Sequence, residues 1–315
     1  MNSKIEIVKK IEKLKREKNA LILAHYYQTG DIQDIADFIG DSLALSQKAA
    51  SNSADIILFA GVKFMAETAK ILAPEKKVLL PDILAGCSLA DSCKAEDFKK
   101  LIDENPGRTV ISYVNTSAEI KALSDIICTS SNAIQIVESL PLNEKIIFAP
   151  DRNLGNYVLN KTGRNIIIWN GACHVHEEFS LEGIIDLKKK YPDAKVIVHP
   201  ECEMPVRIIA DFIGSTSALL SFTKKDNSKF YIIATEPGII YQMKKANPDK
   251  TFLHVPPRDS TCGCEECNFM KLITIEKIYR CLQNEEPEIN LNKEIINNAG
   301  KPIRRMIEIS AKLGL

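Results

Sequence analysis

The chain has 315 residues, 45% of them hydrophobic, and its Lys+Arg and Asp+Glu totals are both 41. This length allows two or three domains and burial of roughly 75% of the unfolded surface. A formal net charge of zero gives no field that would draw nucleic acid or an anionic membrane, and no apolar run approaches the ~18 residues of a membrane span.

The opening stretch, MNSKIEIVKKIEKLKREKNA, is too charged for a secretory leader, so the expected compartment is cytoplasmic. Its Ile7, Ile11 and Leu14 have helical spacing, which predicts a surface helix over 1–18. Short β-branched runs then punctuate the chain in threes: LILAH, IILFAG and VLLPD; VISYVN, IIFAPD and IIIWN; VIVHP, YIIAT and FLHVP. Amphipathic stretches such as VKFMAETAKIL and GIIYQMKKANP separate them. The alternation predicts an α/β protein with parallel sheets covered by helices on both faces.

The word ADFIG stands at 36–40 and again at 210–214, with a weaker copy, SDIIC, at 124–128. The intervals are 88 and 86 residues, and the same period links the first strands near Leu21, Val110 and Val196. It also links the third strands near Ile56, Ile146 and Tyr231. Three αβα repeats are therefore expected over 19–107, 108–193 and 194–290, with 1–18 and 291–315 as flanking helices. Each first strand ends in a polar residue, His25, Tyr113 or His199, and a hydroxyl follows 17 residues later: Ser42, Ser130 or Thr216. These hydroxyls can cap the next helix or hold an anion. They sit at the carboxyl ends of parallel strands, where open α/β sheets bind ligands.

Nine cysteines in a reducing compartment call for metal or redox chemistry. Cys128 and Cys281 lie in apolar or helical runs and read as small buried hydrophobes. The loop after each repeat's last strand also carries cysteine. Cys87 lies 62 residues after His25 and Cys173 lies 60 after Tyr113, while Cys262, Cys264 and Cys267 lie 63, 65 and 68 after His199. Around a pseudo-threefold axis, one thiolate from each repeat would converge. Such a set suits a [4Fe–4S] cluster with one iron free of protein ligands, able to act as a Lewis acid. Zinc on the compact C-G-C-E-E-C run is the competing reading, but that run lacks the second pair that structural zinc wants.

The stretches AHYYQTGDIQDIADFIGDS, GVKFMAE, YVNTSAEIKALSDIICTSSNA, PDRNLG, NGACHVHEEF and HPECEMPVRIIADFIGST resemble the quinolinate synthase family, and the likeness spans roughly 20–310. The resemblance implies three αβα domains around a pseudo-threefold axis. The implied reaction condenses iminoaspartate with dihydroxyacetone phosphate to quinolinate, losing phosphate and water. It implies Cys87, Cys173 and Cys267 as ligands of a [4Fe–4S] cluster. Repeat spacing alone favours Cys262, but the family's third ligand stands three residues before a Met that opens a helix, as Cys267 does before Met270. Cys93, Cys202, Cys262 and Cys264 then carry no ligand role.

Substrate-binding positions implied by the resemblance are His25, Ser42, Tyr113, Val114, Asn115, Ser130, His199, Pro200, Glu201 and Thr216. Glu201 and His199 would perform acid–base work. Tyr27 would face the substrate as a hydrogen-bond donor, while Tyr26 packs. His174 and His176 are expected to support Cys173, and Asp151 with Arg152 to form an interface ion pair. A transient contact with L-aspartate oxidase, as the source of iminoaspartate, is compatible with the family; partners made of nucleic acid or membrane are not expected. The diphthamide-synthesis enzymes share a plan of one cysteine per domain but lack the AHYYQ and HPEC words. An iron–sulfur sensor would need no ring of His, Tyr and hydroxyl groups.

Overall fold

The computed structural model describes residues 2–259 and 265–315. Cys262 and Cys264 lie outside the described residues. Among the described residues, twelve strands form three four-stranded sheets, all of them parallel. The first holds β1 (Ala20–His25), β2 (Phe38–Gly40), β3 (Ile56–Ala60) and β4 (Lys77–Leu79). The second holds β5 (Thr109–Tyr113), β6 (Ile126–Cys128), β7 (Lys145–Ala149) and β8 (Asn165–Ile168). The third holds β9 (Lys195–Val198), β10 (Phe212–Ile213), β11 (Phe230–Ala234) and β12 (Thr251–His254). Each sheet has the same strand order, β2-β1-β3-β4, β6-β5-β7-β8 and β10-β9-β11-β12.

The register repeats as well: Leu23 pairs with Phe38, Ile111 with Ile126, and Ile197 with Phe212. The ADFIG-like words explain this. Asp37 Oδ2 accepts the Ile22 N–H, Asp125 Oδ2 the Val110 N–H, and Asp211 Oδ2 the Val196 N–H, each at 2.8 Å. In each case the aspartate's own N–H is donated back to the carbonyl of the same strand residue. One side chain thus pins the short edge strand to the central strand three times over, and a slip by one residue would break this bond and invert the buried face.

Central strands are apolar on both faces because helices cover both. Ile22, Leu23 and Ala24 are fully buried, as are Ile57, Leu58 and Ala60. The first sheet and one face of the second share one continuous core. The other face of the second packs Val110, Ile147 and Ala149 with Phe98 in a separate cluster, and the two faces of the third build two more. The helix Asn2–Glu17 packs on β1 and on the helix Ile275–Asn284, whose Ile278, Cys281 and Leu282 enter the same core as Ile22. The helix Lys293–Lys312 lies against β6 and the helices Lys63–Leu72 and Ala118–Ala122. Among the described residues, no helix is long and apolar enough to cross a membrane.

Candidate functional site

β1 and β5 end at His25 and Tyr113, and His199 follows directly after β9. Two residues beyond each stand Tyr27, Asn115 and Glu201. All six line one cavity at the carboxyl ends of the three sheets. His25 Nδ1 accepts the Tyr27 N–H at 3.2 Å, and His199 Nδ1 accepts the Glu201 N–H at 3.3 Å, the same turn used twice. Ring nitrogens that accept there leave Nε2 as the protonated nitrogen. Burial pushes His25 down to about 4 and His199 to about 3, so both imidazoles are neutral near pH 7.

Ser42, Ser130 and Thr216 line the same cavity. They are not the helix caps. Asp41 Oδ1 caps the helix Ser42–Ala50 and Ser215 caps Thr216–Lys225, while Asn132 Oδ1 takes the Thr129 N–H ahead of the helix Ala133–Glu138. With the preceding residue doing the capping, the hydroxyls at 42 and 216 sit in the first turn and are directed elsewhere. Thr216 Oγ1 donates to the Tyr27 hydroxyl at 3.1 Å, and Ser130 Oγ lies 3.1 Å from His199 Nε2. Asp41, which sequence reasoning missed, also accepts Ser131 Oγ at 2.8 Å and Ser215 Oγ at 3.3 Å. One carboxylate therefore ties the corresponding turns of all three sheets together. Its N-cap position in the word GDS was the only signal.

Cys87, Cys173 and Cys267 all line this cavity. Each is the N-cap of a four-residue helix, Ser88–Asp91, His174–Glu177 or Asn268–Lys271. First-turn N–H groups approach the sulfurs: those of Ala90 and Leu89 at Cys87, His176 at Cys173, and Met270 and Phe269 at Cys267. Burial pushes Cys87 up to about 12, Cys267 to about 11 and Cys173 well above the ordinary range. The free thiols hold their protons, and a soft metal group would displace them on binding. Cys93, Cys128, Cys202 and Cys281 are buried and do not line the cavity.

The loops carrying two of these cysteines are held by buried acids. Asp151 Oδ2 accepts the Cys173 N–H at 3.3 Å, and Glu236 accepts the Cys267 N–H. Asp151 caps the helix Arg152–Thr162 with its other oxygen, and Arg152 pairs with Glu177, so the expected Asp151–Arg152 ion pair does not form. Glu236 meets Lys271 Nζ at 2.6 Å, and the same ammonium donates to the Tyr27 carbonyl at 2.7 Å.

Glu201 is 2% exposed. Burial alone would raise its carboxyl, but the imidazoles of His176 and His199 and the Tyr113 hydroxyl hold it well below the usual range. His176 Nδ1 lies 2.9 Å from Glu201 Oε2 and 3.2 Å from Cys173 Sγ. Cys173, His176 and Glu201 each offer a ligand atom within 4.8 Å of the others. His176 thus reaches both a thiol and the carboxylate, a larger part than support for Cys173 alone. His174 instead contacts Ser88 Oγ at 2.7 Å. Two buried oxygens in the cavity wall, Glu201 Oε1 and Asn115 Oδ1, have no hydrogen-bond partner among the described residues, an arrangement suited to N–H or O–H groups of a bound molecule. Tyr27 and Tyr113 are held protonated by burial and by the nearby Glu201 charge, so both are donors. Val114 and Pro200 are buried but do not line the cavity, and Tyr26 packs into the core of the third sheet as expected.

The family model described as "NadA: Quinolinate synthetase A protein" matches residues 9–308. The chain is 58% identical over 306 residues to the quinolinate synthase of Thermosynechococcus vestitus, covering 97% of this chain and 96% of the relative. It is 58% identical over 300 residues to that of Microcystis aeruginosa, covering 95% and 94%, and 54% over 308 residues to that of Chloroherpeton thalassium, covering 98% and 96%. With a family match across nearly its whole length and a cavity walled by all three repeats, the chain belongs to the quinolinate synthase family.

Proposed function

We propose that the cavity condenses iminoaspartate with dihydroxyacetone phosphate to quinolinate, releasing phosphate and water, and that Cys87, Cys173 and Cys267 hold a [4Fe–4S] cluster there. One observation carries the reading: three cysteines, one from the last loop of each sheet, open matching short helices into a single cavity that the His, Tyr and hydroxyl groups also line. Three half-buried thiols, each at the N-terminus of a short helix, fit a thiolate-ligated cluster, and three ligands leave one iron for the substrate. When bound, the cluster supplies a Lewis-acid iron for a hydroxyl or carboxylate.

The chain's own groups account for binding and proton handling. Ser42 and Ser130 meet the phosphate and carboxylate anions of the two substrates, while Thr216 donates to the Tyr27 hydroxyl beside them. The neutral rings of His25 and His199 offer N–H groups without placing a second positive charge in a buried site. Asn115 Oδ1 and Glu201 Oε1 accept from the imine and hydroxyl groups that the substrates bring. Tyr113 donates to enolate-like oxygens, Tyr27 sets its ring and hydroxyl beside them, and Glu201, held ionised, takes a proton.

Anaerobic incubation of the reconstituted protein with both precursors tests this. Quinolinate should accumulate with stoichiometric phosphate release, in a preparation with about four irons and four sulfides per chain. A fully loaded preparation that makes no quinolinate would sink the reading.

A further inference from the structure

The sheet register makes Ala60, Ala149 and Ala234 equivalent, since each pairs with the corresponding residue of its central strand, Ala24, Ser112 or Val198. The residues that follow are Gly61, Pro150 and Thr235. Only the third sheet places a hydroxyl at this step. Thr235 is fully buried and does not line the cavity, yet its side chain sits between two residues that do.

Thr235 Oγ1 lies 2.9 Å from the Tyr27 hydroxyl and 3.0 Å from His176 Nε2. The donors sort themselves by chemistry. The ionised Glu201 carboxylate only accepts, so His176 Nδ1 carries the proton that faces it at 2.9 Å. When Nδ1 alone carries a proton, Nε2 is an acceptor and Thr235 donates to it. Thr235 Oγ1 can in turn accept from Tyr27, which accepts from Thr216 Oγ1 at 3.1 Å. Every group in the run Thr216–Tyr27–Thr235–His176–Glu201 has one consistent role. His254 Nε2 reaches the Thr235 carbonyl at 2.9 Å, fixing the backbone from which the hydroxyl extends.

We propose that Thr235 is a positioning residue for the reaction: one hydroxyl, outside the cavity, fixes Tyr27 from the first repeat and, through His176, Glu201 from the third. The inference rests on the proposed roles of Tyr27 and Glu201. Two side chains that must face the same substrate would otherwise be set by loops on different sheets. A shared buried hydroxyl makes their relative placement a matter of two short hydrogen bonds, and misplacement of about 1 Å can cost 10²-fold in rate.

The test compares Thr235→Val, which keeps the β-branched shape without the hydroxyl, with Thr235→Ser, which keeps the hydroxyl, both as anaerobic holoenzymes. The Val variant should retain its iron content and a KM within about threefold of wild type, while kcat falls about 10- to 100-fold. The Ser variant should recover most of that loss. In crystal structures the Tyr27 or His176 ring should shift in the Val variant and stay in place in the Ser variant. Wild-type kcat in Thr235→Val, a Ser variant as impaired as the Val variant, or unmoved rings in both would each overturn the proposal. A wild-type protein that makes no quinolinate would instead remove the functional reading, leaving the ring positions to judge the Thr235 contacts.

Discussion

The two ends of the three sheets differ in how strictly they repeat. Toward the starts of the central strands, Asp37, Asp125 and Asp211 make the same bond at the same 2.8 Å to Ile22, Val110 and Val196. At the carboxyl ends, equivalent positions carry Tyr27, Asn115 and Glu201, and one step after the third strands Gly61, Pro150 and Thr235. The frame is symmetric and the cavity is not. Three equal frames bring three loops to one place, and unequal side chains on those loops can then address an asymmetric pair of substrates. Inside the cavity only the three cysteines and the three hydroxyls Ser42, Ser130 and Thr216 keep the symmetry. Even there the support differs, since Asp151 and Glu236 hold the loops of Cys173 and Cys267.

Breaking the symmetric part of the cavity should have the largest effect. Cys87→Ala, Cys173→Ala or Cys267→Ala should each abolish bound iron, measured by metal analysis and the visible absorption of anaerobic protein, while Cys281→Ala retains it. Iron retained by Cys267→Ala but lost by Cys262→Ala would mean that repeat spacing, and not the helix-opening position, marks the third ligand.

The asymmetric part should be separable from the metal. Glu201→Gln keeps shape and hydrogen bonding but cannot act as a base, so it should keep its iron and lose about 100-fold or more in quinolinate formation. Near-normal turnover would remove Glu201 from the chemistry.

Acid tests the same end of the sheets through stability. His25 and His199 sit at about 4 and about 3 in the fold, against an ordinary value of 6.5. The unfolded chain therefore binds protons that the folded chain refuses as pH falls below about 6.5. Their contribution is intact above that pH and is lost progressively toward pH 4, at about 2 kcal/mol per ring by pH 5. Denaturant midpoints of the wild type, compared with those of His25→Gln, should diverge most at neutral pH and converge at pH 5. A difference independent of pH would assign the loss to packing.

The smallest effect belongs to the frame. Replacing Asp37, Asp125 or Asp211 with Ala leaves one backbone N–H of a central strand without its side-chain acceptor, costing about 1–2 kcal/mol each. The three variants should lose similar stability while kcat/KM of the folded enzyme holds. Unequal losses would show that the frame is less uniform than its bond lengths.

The sequence carried most of the architecture because the signals are local and repeated. Runs such as IILFA are buried on both faces in a parallel sheet, and the thrice-written Asp records a strand-to-strand bond 15 residues long in sequence. The polar ends His25, Tyr113 and His199 and the hydroxyls 17 residues on were legible for the same reason. The roles of those hydroxyls were not. Whether Ser42 or Asp41 caps a helix depends on where its first turn begins, a matter of one residue that neighbouring Asp and Ser leave ambiguous.

By itself, then, the amino-acid order determined the three frames, the converging thiols and the family to which they belong. Only the tertiary structure decided which buried groups meet across the frames: Asp41 with Ser131 and Ser215, His176 with Glu201, and Thr235 with Tyr27. A backbone bond within one sheet leaves a periodic trace in the sequence. A hydrogen bond between side chains 208 residues apart leaves none, because its partners are brought together by the packing of separate sheets and need share no spacing, type or pattern.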